Sequence, residues 1–82
     1  MVGALLIYSR PGCHLCDAMK AVVAPIASEL GWAVEEVDIS GNATLEAQFG
    51  TEIPVLFVNG RKAFKYRVGA RELRQRLRHD AN

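Results

Sequence analysis

The 82-residue chain has only two cysteines, two histidines and one tryptophan, and no apolar run approaching the ~20 residues that a membrane span requires. Each scarcity excludes something. A secreted domain this small usually depends on several disulfides, so one close cysteine pair argues for a reducing compartment and for cysteines kept for chemistry or metal. A zinc site needs four ligands, and beyond the cysteines only His14 and His79 are on offer, one between the cysteines and one in the terminal helix. Structural zinc is the weaker reading, and no metal is expected. The start "MVGALLIYS" carries no basic flank and no small-residue cleavage site, so a cytoplasmic protein without membrane attachment is expected. Repeats, linkers and low-complexity segments are absent as well, which makes residues 1–82 a single domain. A chain of this size buries only about 60% of its unfolded surface, so chemistry must lie near the surface, with no internal bound cofactor.

Charge is divided unevenly along the chain. Residues 1–60 set Arg10 and Lys20 against seven carboxylates, whereas residues 61–79 set eight cations against Glu72 alone. The segment "RELRQRLRH" reads most simply as a solvated helix face with Leu73 and Leu77 turned inward. Its functional reading is that Arg67 and Arg71 border a site and select an anionic substrate or an acidic partner. Nucleic acid is the weaker option, since no aromatics alternate with the arginines as stacking surfaces.

The run "ALLIY", closed by Ser9-Arg10-Pro11-Gly12, has the form of a strand buried on both faces. From Leu15 to Leu30 the apolar positions follow one helical face, beginning at or just before Cys13 and stopping at Gly31. Pro25 predicts a kink near Ala21 to Pro25, because its ring clashes one turn back and it has no N–H. "WAVEEVDI" is a second strand, parallel to the first through a right-handed crossover. Asn42 can cap a short helix through Phe49, ended by Gly50. Asn59-Gly60 between two β-rich runs marks a hairpin whose central residues need positive φ, and Lys62 and Lys65 suit a guarded sheet edge. A last helix is expected from about Gly69 to His79. The predicted order is β-α-β-α-β-β-α.

The stretch "YSRPGCHLCDAMK" concentrates the chemistry. At a helix start Cys13 faces unpaired N–H groups and the positive end of the macrodipole, which favours its thiolate. Cys13 is thus the candidate nucleophile. Cys16, about one turn further in on the same side, is placed to attack a mixed disulfide at Cys13 and resolve it. A protonated His14 would stabilise the thiolate, while Asp17 pushes the other way. Simple packing of two small apolar residues is the bland alternative, but a helix start after a Pro-Gly turn is a poor place to bury both. Ile53-Pro54, just before a predicted inner strand, is the second informative site: the proline removes a donor and leaves neighbouring backbone free to pair with something external.

Together, "LIYSRPGCHLCDAMKAVV", "EEVDIS" and "IPVLFVNG" resemble the glutaredoxin-type members of the thioredoxin superfamily, from about Ala4 to Leu77. The resemblance implies an α/β thioredoxin-like fold, a four-stranded mixed sheet flanked by three helices, with Cys13 exposed at the active edge and Pro54 cis beside it. It implies that the Ile53 backbone pairs with bound peptide or glutathione, that Arg10 attracts a glutathione carboxylate, that Tyr8 fills a usually aromatic position, and that Gly69 and Ala70 lie near the glutathione amino end. His14 and Leu15 stand where the family usually has proline and tyrosine, Glu52 where it has threonine, and Arg71 where it has an acidic residue. The expected function is that of a monomeric thiol/disulfide oxidoreductase acting on a disulfide-containing protein or a glutathione mixed disulfide, with glutathione as a candidate co-substrate. Two alternatives stay open: an iron-sulfur-binding module in which two chains share a cluster through Cys13, and a non-catalytic interaction domain that binds through its basic helix.

Overall fold

The structure is a computed structural model and describes residues 3–80. Strand β1 (Ala4–Ser9) leads through a tight turn into α1 (His14–Leu30), followed by β2 (Ala33–Asp38), α2 (Ala43–Phe49), β3 (Val55–Val58), β4 (Arg61–Lys65) and α3 (Ala70–Asp80). The strands form one mixed sheet in the order β2-β1-β3-β4, with β2 parallel to β1 and the other two pairings antiparallel. This is the thioredoxin-like arrangement.

Helices α1 and α3 share one face of the sheet. Met19, Val23, Ile26 and Ala27 recur at helical spacing on α1 and meet Leu5 and Ile7 of β1, Leu56 and Val58 of β3, and Leu73 and Leu77 of α3. An ion pair between Arg74 and Glu29 ties the two helices at the surface. On the opposite face Phe49 of α2 stacks on Tyr8, with ring centroids 4.7 Å apart, and both rings meet Phe57 edge-on. That side is thinner. Leu5, Ile7 and Ser9 are buried while Leu6 and Tyr8 are only half-buried, so β1 is not covered equally on both faces. The seven-residue α2 is too short to close the second face.

Local chemistry sets the boundaries. Gly31 ends α1 in the left-handed region at φ 78°, and its N–H caps the Ala27 carbonyl. The Asn42 side chain accepts from the Leu45 N–H at the start of α2. Asn59 and Gly60 turn the hairpin at φ 49° and 82°, the positive pair that such a two-residue turn requires. Pro25 does not interrupt α1, which runs unbroken from His14 to Leu30. Ala21 and Pro25 both lie on the exposed side, where water can take the carbonyl that proline leaves unpaired.

Candidate active site

The turn Arg10–Gly12 brings the chain off the end of β1 and delivers Cys13 in extended conformation, φ −95° and ψ 112°, as the N-cap of α1. Its sulfur accepts the Cys16 N–H at 3.1 Å, and its carbonyl accepts the Asp17 N–H at 3.1 Å. Cys13 therefore occupies the position that serine or aspartate usually fills at a helix start, with sulfur replacing the capping oxygen. Cys13 and Cys16 form a disulfide across a Cα separation of 5.2 Å. Cys13 is half-buried, but Cys16 is only 1% exposed, so the pair can be approached from the Cys13 side alone. His14 and Leu15, between them, are exposed.

Because Tyr8 pairs with Val55, the residues before β3 lie at the same end of the sheet as the cysteines. There the Ile53–Pro54 peptide is cis and the Pro54 side chain is fully buried. Ile53 is half-buried and precedes β3, and among the described residues its N–H and C=O take no hydrogen-bond partner. Tyr66 fixes this loop. In left-handed conformation at φ 68°, it donates its N–H to the Pro54 carbonyl at 2.8 Å and its hydroxyl to the Thr51 carbonyl at 2.9 Å. Sequence reasoning missed Tyr66, and nothing local announces it, since its partners lie more than ten residues upstream.

The remaining candidates divide into those at the site and those engaged elsewhere. Arg67 borders an apolar groove with Leu15, Ala18 and Met19 of α1. Arg10 is held in an ion pair with Glu46 of α2, and Tyr8 is packed in the aromatic cluster. Gly69 donates its N–H to the Glu72 carboxylate at 3.1 Å, and its carbonyl accepts from Leu73 at 2.9 Å. This is half of a capping box, and the acid three residues after the cap was its legible signal. Ala70 opens α3 and is exposed. Arg71 lies with Arg74, Gln75 and Arg78 on the outer face of α3 and does not line the groove that Arg67 borders. His79 sits with Asn59 and Arg61 at the hairpin end of the sheet, opposite the cysteines.

Below the Cys13 turn a polar network crosses from β1 to α1. The buried Ser9 hydroxyl donates to Glu36 at 2.7 Å, and Lys20 reaches the same Glu36 oxygen at 2.9 Å and Asp17 at 3.5 Å. The Ser9 hydrogen bond, then that of Lys20, holds the Glu36 carboxyl below its ordinary range; Glu36 in turn raises Lys20. The serine is the only buried polar side chain among the described residues, and this bond satisfies it.

Among the described residues no three His, Cys, Asp or Glu side chains group as a metal site, and no helix is long and apolar enough to cross a membrane. Comparison with known proteins agrees with the architecture. Residues 4–78 match the model of the Glutaredoxin-like domain (DUF836). An uncharacterized protein of Mycobacterium tuberculosis is 32% identical over 73 residues, covering 83% of this chain and 75% of that protein. The X-ray structure of protein XcR50 from X. campestris superposes with a TM-score of 0.73 at 37% identity, covering 92% of this chain and 96% of the other. A thioredoxin from Halobacterium salinarum shares the fold, with a TM-score of 0.70 at 21% identity over 99% of this chain and 76% of its own. With the family match spanning β1 to α3, the chain belongs to the glutaredoxin-like DUF836 family of the thioredoxin superfamily.

Proposed function

We propose that the protein is a thiol/disulfide oxidoreductase. In the reduced state the Cys13 thiolate attacks one sulfur of a substrate disulfide, forming a mixed disulfide and expelling the other substrate sulfur as thiolate. Cys16, losing its proton, then attacks the Cys13 sulfur, closes the Cys13–Cys16 disulfide and releases the second substrate thiolate. Two electrons pass to the substrate, and an external thiol must return them.

The observation that carries this reading is the sulfur of the half-buried Cys13 at the cap of α1, already accepting the Cys16 N–H, with its bonded partner buried behind it. A thiolate gains from such a donor and from the helix dipole, while burial disfavours charge on Cys16 until a mixed disulfide presents itself. The backbone of Ile53, held beside Pro54, supports pairing with the substrate chain. In this reading His14 modulates the thiolate and Arg67 attracts a substrate carboxylate, while Arg10 does so only when it is released from Glu46. Glu72 already takes the Gly69 N–H, Ala70 follows at the start of α3, and Arg71 does not line the groove that Arg67 borders. Glutathione or a protein disulfide serves as substrate or co-substrate.

The test is a Cys16→Ser variant incubated with glutathione disulfide and with cell extract, read by intact mass. The expected result is a stable mixed disulfide on Cys13 that the wild type resolves. A variant that stays unmodified, with a wild-type pair that remains reduced in excess glutathione disulfide, contradicts the reading.

A further inference from the structure

Leu30 and Val34 aside, the large apolar side chains exposed on the described surface are Leu15, 37% exposed, and Tyr66, 42% exposed. Both border one groove beside the disulfide, with Ala18 and Met19 of α1 along it. Its volume of about 260 Å³ is smaller than the pockets that hold drug-sized ligands, which begin near about 300 Å³. It suits one or two side chains.

One charged side chain lines the groove. Arg67 is the single charged residue lining the groove, and among the described residues it has no ion-pair partner. Lys65 lies 5.5 Å from the centre of the Tyr66 ring, outside the groove lining and within Coulombic reach of Glu52. The wall is also pre-set: the two hydrogen bonds of Tyr66 to Pro54 and Thr51 join the groove to the Ile53–Pro54 loop, so an occupant meets a surface already ordered.

We infer that this groove selects a protein segment that places a bulky apolar side chain between Leu15 and Tyr66 and a neighbouring carboxylate on Arg67. The inference rests on the dithiol reading above and names its substrate class, a disulfide within an acidic, apolar stretch of a partner protein. Apolar contact supplies the hold, and the unpaired guanidinium supplies the choice. A small hydrophilic disulfide offers no side chain for the cleft.

The test separates docking from chemistry. Oxidised protein is titrated with a cysteine-free peptide carrying adjacent Leu and Glu, and with the same peptide carrying Lys for Glu, while amide shifts are followed by NMR. Shifts are expected at Leu15, Tyr66, Arg67 and Val68, with the acidic peptide bound roughly two- to fivefold more tightly, as for an exposed ion pair. Arg67→Glu should reverse that order. Leu15→Ser should weaken both peptides and leave their ratio intact, a pattern that misfolding does not give. Equal affinities for the two peptides, or shifts confined to the Arg71–Arg78 face of α3, overturn the inference. Cysteine exchange is assayed separately: a protein that prefers the acidic peptide yet exchanges no disulfide supports the groove and refutes the proposed reaction.

Discussion

The N–H of Cys16 donates to the sulfur of Cys13 at 3.1 Å, so the helix that carries the pair is capped by one of its own reactive atoms. The bond joins structure to reactivity: the N–H that the sulfur satisfies at the helix start is also the donor that would stabilise a thiolate.

Unequal burial should make the cysteines unequal reagents. In the reduced protein a bulky alkylating agent should modify Cys13 at least about tenfold faster than Cys16, because Cys16 is only 1% exposed. In the Cys13→Ser variant, labelling should wait for denaturant. Peptide mass mapping against time checks this, and equal rates would remove the division into attacking and resolving thiols.

The Arg10–Glu46 pair makes a second prediction. While Glu46 holds the guanidinium, Arg10 is poorly placed to draw an anionic disulfide. Glu46→Gln should raise the rate at which glutathione disulfide modifies Cys13 by about two- to fivefold at low salt, with the gain fading as salt screens it. Stopped-flow rates at two ionic strengths decide the matter, and an unchanged rate would place Arg10 outside the approach path.

Stability should fall in acid through the network beneath the Cys13 turn. Glu36 has a depressed carboxyl pKa when folded, through Ser9 and then Lys20, so its contribution is present above the unfolded carboxyl value and disappears as pH falls through the lower folded one. Lys20, raised chiefly by Glu36, contributes below its unfolded value and loses that contribution as pH rises through the folded one. Ser9→Ala should flatten the acid limb of a urea-midpoint profile while removing a buried hydrogen bond worth about 1 kcal/mol near neutrality. A limb unchanged in steepness would show that other carboxylates set it.

Helix α3 should be indispensable to the fold although only two of its side chains are buried. Leu73→Ala, at a fully buried position, should cost about 2–5 kcal/mol, while Glu72→Ala, removing the contact to the Gly69 N–H, should cost about 1 kcal/mol. Denaturant melts compare the two, and similar losses would contradict the packing described for this face.

What could be foreseen was local. The one-face spacing from Leu15 to Leu30, the Asn42 cap and the Asn59-Gly60 turn are each encoded by a few neighbouring residues, and the order of elements and the place of the Cys13–Cys16 pair could be read from them. Contacts between distant segments could not. The Arg10–Glu46 pair spans 36 positions and the Tyr66–Thr51 bond 15, and neither side chain carries a local signal of its partner. The same applies to β1, whose continuous apolar run gives no measure of how little of its second face a seven-residue α2 can cover. Arg71 shows a further limit: matching positions along the chain says nothing of which face of α3 it takes, and it lies there with Arg74 and Arg78.

The proposed exchange depends on the charge state of one sulfur at the start of α1. The most direct measurement is the pH dependence of Cys13 alkylation in the Cys16→Ser variant, followed by thiolate absorbance. Half-ionisation well below the ordinary thiol value of about 8.5 is the predicted result; half-ionisation at or above that value would contradict it.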